Sequence, residues 1–291
     1  MPASQESCSI DDITMHNHIQ LVAAGLALVA APILSAQTAS EMDAPVLLEP
    51  ILVIAPEEPP VGRSFSLGPS AIAPQRARTS DTAKLLTGLP GVSAYGAGGV
   101  SSLPVIRGLA DERLRTTVNG MDLVASCPNH MNSPLSYIDP TAVASVEVFA
   151  GVTPVSIGGD SIGGTIVVES APPAFAESGE RLVAGEVGTF YRSNGDNWGG
   201  NLSATVASEQ LSIHYSGAYT KANNYQAGSD FKDYDFSGRA GHTLDRDEVG
   251  SSAYEASNQS LTLAWTDGRT LLDLSYDHQD IPYEGFPNQR M

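Results

Sequence analysis

Residues 260–280 read SLTLAWTDGRTLLDLSYDHQD. Leu261, Leu263 and Trp265 alternate with Thr262, Ala264 and Thr266. After the turn signal Asp267-Gly268-Arg269, Leu272, Leu274 and Tyr276 alternate with Asp273, Ser275 and Asp277. Successive side chains of a strand point to opposite faces, so this stretch is a hairpin with one apolar and one polar face. The pattern continues upstream. Leu211, Ile213 and Tyr215 alternate with Ser212, His214 and Ser216, and RLVAGEVGTFY (181–191) and WGGNLSATVAS (198–208) are strand-like. A long polar stretch from Lys221 to Asn258 separates the third strand from the fourth. Five strands of about ten residues, with aromatic residues at their ends (Tyr191, Trp198, Tyr219, Trp265, Tyr276), fit the wall of an outer-membrane barrel. The strands alone also fit a soluble antiparallel sheet.

Composition narrows the function. The 291 residues are only 16% charged, and the net charge is −18 with no basic cluster. Binding nucleic acid needs a basic face to neutralise phosphates, so no nucleic-acid partner is expected. No Ser-His-Asp order, His-Glu-x-x-His or phosphate-binding Gly-Lys-Ser/Thr loop occurs, which predicts a protein that is not an enzyme and holds no organic cofactor. Ile19–Ile33 is apolar but too short and alanine-rich for a membrane helix. Ser35 and Ala36 follow, which reads residues 1–36 as a secretory signal. No Lys or Arg precedes Arg63, and a start at Met15 would let the amino terminus supply the positive end. The alternative is a buried helix of a cytosolic protein.

Residues 37–62 are proline-rich and acidic, and 37–78 read as an extended linker. One apolar island interrupts them: Glu49, Pro50, Ile51, Leu52, Val53, Ile54 and Ala55. Such an island suits addition to the edge of a partner's sheet, or the first strand of the domain that follows. Residues 79–172 form a mixed α+β unit. A helix capped by Ser80 or Asp81 ends at Gly88 and Pro90-Gly91. Asn119-Gly120 marks a tight hairpin. GAGGVS (96–101) and GGDSIGG (158–164) read as tight turns.

Within this unit, SCPNHMNS (126–133) places a thiol, an imidazole and a thioether in five positions of a chain with two cysteines. The other, Cys8, lies in the signal segment. Thiolate and thioether are soft ligands that favour Cu(I). Cys127 and Met131, at i and i+4, would share one face of a helical turn opened by Pro128, with His130 beside them. By spacing alone, a buried packing pair reads equally well.

Three stretches carry a family resemblance. TAKLLTGLPGVSAYG (82–96), PVIRGLADERLRTTVNGMDL (104–123) and IDPTAVASVEVFAGVTPVSIGGDSIGGTIVVES (138–170) resemble, in order, the plug motifs of TonB-dependent outer-membrane receptors. The resemblance implies an α+β plug domain followed by the antiparallel β strands of a transmembrane β-barrel in the bacterial outer membrane. It implies that residues 49–55 are a TonB box that pairs with TonB, the inner-membrane energy coupler. It assigns Arg107, Gly108, Glu147, Gly163 and Gly164 to plug structure, holding the plug against the barrel wall. CPNHMNSPLSYIDP (127–140) further resembles the copper-receptor branch, which implies copper as the transported ligand, held by Cys127 and Met131 with His130. Siderophore and haem receptors would share the other motifs. The family's barrel of about 22 strands needs about 220 residues before loops. Residues 181–291 hold about five strands, so the barrel is incomplete and the chain is expected to be the front part of a longer protein, or a non-transporting truncated fragment.

Overall fold

The computed structural model describes residues 64–96, 98–127, 129–158, 161–238 and 240–287. The signal segment, the 49–55 island and Pro128 lie outside the described residues.

The first sheet takes the order β1 (Ser64–Leu67), β6 (Val143–Ala150), β7 (Gly164–Ser170), β4 (Leu114–Val118), β5 (Met121–Leu123). A small pair, β2 (Val92–Tyr95) and β3 (Leu103–Ile106), stands beside it. Residues 64–76, which their composition assigns to the linker, are instead strand β1 and helix α1 (Pro69–Arg76). Neither has a periodicity of its own. β1 is held by antiparallel pairing along β6, and α1 by the burial of Ile72 and by Arg76 donating to Val143 O at 2.9 Å.

The core of this unit gathers Ile72, Leu85, Leu86, Ile106, Leu135, Val146, Val148, Ile166 and Val168. Burial of side chains this size stabilises the fold by about 1.5–3 kcal/mol each. Leu85 and Leu86 come from the segment expected as an α-helix, which is a 3-10 helix, Thr82–Gly88. The Asp81 carboxylate caps it by accepting from Ala83 N, and Leu89-Pro90 ends it after seven residues, a length at which α-helical cooperativity is weak. Asn119 and Gly120, at φ 50° and 76°, make the β4–β5 hairpin turn as expected.

The second sheet is an open antiparallel meander of β8 (Leu182–Arg192), β9 (Asn197–Ala207), β10 (Leu211–Ala222), β11 (Tyr254–Thr266) and β12 (Leu271–Glu284). β11 begins inside the stretch read as a polar loop. Its first residues are polar, and the cross-strand ladder to β10 places them in the strand. Register aligns Val183, Val206, Ile213, Leu263 and Leu274 across all five strands on one face. That face is exposed, while the opposite, more polar face meets the first unit. Trp198 and Tyr219 pack at 5.3 Å near one rim, beside the Lys221–Glu255 pair. Among the described residues no helix is long and apolar enough to cross a membrane, which does not bear on crossing by strands.

Candidate functional site

Cys127, His130 and Met131 lie between β5 and the 3-10 turn Pro134–Tyr137, and all three are half-buried. His130 N donates to Cys127 O at 2.9 Å, closing a single turn. His130 then adopts φ 53°, which leaves the right-handed helical path. The segment is therefore a turn rather than the helical turn that the i, i+4 spacing suggested. The backbone reversal at His130, and not a helix face, sets where Cys127 and Met131 stand.

The loop is fastened at both ends. Tyr137 Oη accepts from Ser126 N at 2.9 Å. Buried Ser133 donates to Ser102 O at 2.8 Å, and Gln279 on β12 donates to Ser136 O at 2.6 Å. The loop is thus tied to the sheet wall. His130 Nε2 stands 3.5 Å from Asp111 Oδ1 and 3.6 Å from Glu112 Oε1, so the imidazole is engaged by carboxylates of the 111–113 turn. Among the described residues, no group of three or more His, Cys, Asp or Glu is placed to hold a metal ion. Any soft-metal site here is built on sulfur: Cys127, a free thiol, and the thioether of Met131.

The residues assigned to plug structure divide in two. A Cβ on Gly163 would lie 2.7 Å from Leu114 Cδ2. One on Gly164, at φ 136°, would lie 2.1 Å from Phe149 O. A side chain is excluded at Gly164, where backbone stands in the way, while at Gly163 the Leu114 side chain would have to move. Arg107, at φ 50°, and Gly108, at 82°, form the turn after β3, where Arg107 N donates to Gly91 O at 2.8 Å. Glu147 sits mid-strand in β6, between β1 and β7. These positions shape the first unit itself. Among the described residues, the hydrogen bonds and ion pairs that reach β8–β12 come instead from the 76–80 and 100–101 segments and Ser136.

Those wall contacts carried no motif signal. Ser80 Oγ meets Thr220 Oγ1 at 3.1 Å, and Arg192 donates to Ala77 O and to Ser80 Oγ, each at 3.0 Å. Glu284 Oε1 accepts from Ser101 Oγ at 2.8 Å and from Val100 N at 3.2 Å. Gly98 and Gly99, expected as a tight turn, are instead points of close approach. A Cβ at Gly98 would come 2.3 Å from Glu284 Oε1, and one at Gly99 would come 2.0 Å from the Tyr254 ring. Asp81, fully buried, joins the 3-10 helix to this loop by accepting from Ala83 N and Ser102 N, each at 3.1 Å. Burial pushes the Asp81 carboxyl above the usual carboxylate range, against the opposing pull of Lys84 and Ser102. Burial likewise raises Asp139, opposed by the Thr141 hydroxyl and amide.

With this geometry in place, residues 70–165 match the family model described as TonB-dependent Receptor Plug Domain. The chain carries the plug domain of a TonB-dependent receptor. The plug and the sheet together resemble several solved structures. The copper transporter OprC is 26% identical, with a TM-score of 0.60 over 77% of this chain and 31% of that one. The Serratia marcescens hemophore receptor HasR, solved with its hemophore HasA and heme, is 16% identical, with a TM-score of 0.61 over 76% and 32%. The pyoverdine outer-membrane receptor FpvA of Pseudomonas aeruginosa PAO1 is 15% identical, with a TM-score of 0.54 over 76% and 28%. A search of the curated proteins gives no match. The chain spans about a third of the length of the solved structures it matches. The sheet β8–β12 therefore corresponds to the part of a receptor's barrel wall that stands next to the plug.

Proposed function

We propose that this chain is the plug and adjoining wall of an outer-membrane receptor that takes up copper. The observation that carries the reading is the sulfur pair. Cys127 and Met131 sit in a plug loop that is tied to the wall through Ser136 and Gln279. Soft donors of this kind favour Cu(I). Supporting it, the copper transporter OprC is 26% identical to this chain, against 15–16% for the hemophore and pyoverdine receptors. A second reading, a siderophore or haem receptor, draws on the equally good superposition of HasR, since backbone similarity does not separate ligands.

In the copper reading, Cys127 and Met131 capture the ion as cargo. His130, held by Asp111 and Glu112, fixes the turn between them or adds a third donor. TonB engages residues 49–55 from the periplasm. Traction on that segment rearranges the plug and releases the ion inward. The exposed apolar face of β8–β12 meets outer-membrane lipid, which demands no polar partner from it.

The test is copper content and Cu(I) affinity of the detergent-solubilised protein beside Cys127→Ala and Met131→Ala. One bound copper per protein, lost in both variants, supports the copper receptor. Equal copper in all three proteins, or none in any, returns Cys127 to packing and favours the chelate-receptor reading.

A further inference from the structure

The plug and the wall enclose a pocket at the rim that carries the long 223–253 connection. It is lined by Arg78 and Lys84 from the plug and by Arg192, Asn197, Tyr225 and Tyr254 from the wall and its connection. Its character is opposite to that of the chain. The protein has 15 Lys and Arg against 33 Asp and Glu, yet among the described residues three of these cations line this one pocket and no carboxylate does. Of the neighbouring carboxylates, Asp81 is engaged by the Ala83 and Ser102 amides and Lys84, and Glu284 Oε1 by Val100 and Ser101, while Glu284 Oε2 is buried without a partner. Among the described residues, neither Arg78 nor Arg192 has an ion-pair partner within 4.0 Å. Arg192 donates Nε and Nη1 to Ala77 O and Ser80 Oγ, while Nη2 is buried without a hydrogen-bond partner and the charge of buried Asp139 acts on the guanidinium from beyond ion-pair distance.

Arg78 is exposed and Arg192 half-buried, and a guanidinium with an unpartnered N–H beside two further cations gains from an anion that joins them. A planar fork of N–H donors matches the paired oxygens of a carboxylate or phosphate. We propose that this pocket binds a small, multiply charged oxyanion, which bridges Arg78 and Lys84 of the plug to Arg192 of the wall and so clasps the two together. Strand alternation places Arg192, Asn197 and Tyr254 on the plug-facing side of the sheet, opposite the apolar face, so the anion comes from solution and not from a lipid headgroup. The proposal does not depend on copper being the cargo.

Titration calorimetry of the detergent-solubilised protein with inorganic phosphate and with citrate tests it. The expected result is one saturable site for at least one of these anions, weakened about tenfold by the exposed substitution Arg78→Gln and further by Arg78→Gln with Lys84→Gln, as loss of charge-assisted bonds requires. The same anion should slow proteolysis within the 96–101 loop in the parent protein and do so less in the variants. Absence of saturable binding for both anions would overturn the proposal. So would binding of equal strength in all three proteins, or anion binding that leaves proteolysis of the loop unchanged.

Discussion

The plug and the wall use the same residues in opposite ways. In the plug, Leu85, Ile106 and Ile166 are wholly buried. In the wall, Val183 is 76% exposed and Leu274 70%, while the face carrying Ser216, Thr220 and Asn258 turns inward. A plug strand buries apolar side chains because water surrounds the domain. A wall strand leaves them exposed on the face opposite the plug, the pattern of a strand that meets hydrocarbon. Between the two lies a junction made mostly of polar contacts: Ser80 with Thr220, Gln279 with Ser136, and Glu284 with Ser101. Contacts of this kind exchange readily for water, so each adds little to holding the two together.

Substitutions can break each side of this contrast. The largest effect is expected at Gly164→Ala. There the added methyl meets Phe149 O in a left-handed backbone conformation, and the plug should lose on the order of 4 kcal/mol or more, read as a lower unfolding midpoint. Next is Leu261→Arg on the exposed face, expected to cost about 2–4 kcal/mol when folding is measured into lipid vesicles. Thr262→Ala, one residue away on the opposite face, should change stability by under about 1 kcal/mol, although it loses a bond to Ser275. Equal effects at the two positions would mean that the exposed face does not meet lipid.

An effect smaller than that of Leu261→Arg concerns Asp81. Its folded pKa is raised above 3.8, so the folded state holds its proton to higher pH than the unfolded chain. This group therefore makes stability fall as pH rises from 3.8 through the raised folded value, with no further change above it. Asp81→Asn should flatten that part of the stability–pH profile. It should also cost about 1–2 kcal/mol, because the amide oxygen can accept from only one of Ala83 N and Ser102 N. An unchanged profile in chemical unfolding would show that Asp81 titrates alike in the folded and unfolded states.

Much of this was legible in the chain. Alternation at 211–216 and 261–277 specified the wall strands and their apolar face, because a period of two has no other geometric meaning. Asn119-Gly120 specified its hairpin, and the ordered motifs between 82 and 170 specified the plug. Strand β1 and helix α1 were not legible, since their stability comes from pairing with β6 and from burial of Ile72 rather than from a local pattern. The thiol, imidazole and thioether of 127–131 were visible at once, but the shape of their loop was not. A left-handed His130 turns the chain where i, i+4 spacing would have continued a helix, and two distant carboxylates claim the imidazole.

The sequence by itself thus determined the two architectures and the chemistry of the 127–131 loop, because periodicity and side-chain type are local properties. Only the tertiary structure decided where the plug meets the wall. Gly98 and Gly99 serve close approach to Glu284 and Tyr254, and Arg78, Lys84 and Arg192 converge on one pocket, because residues more than a hundred positions apart become neighbours only once both units have folded.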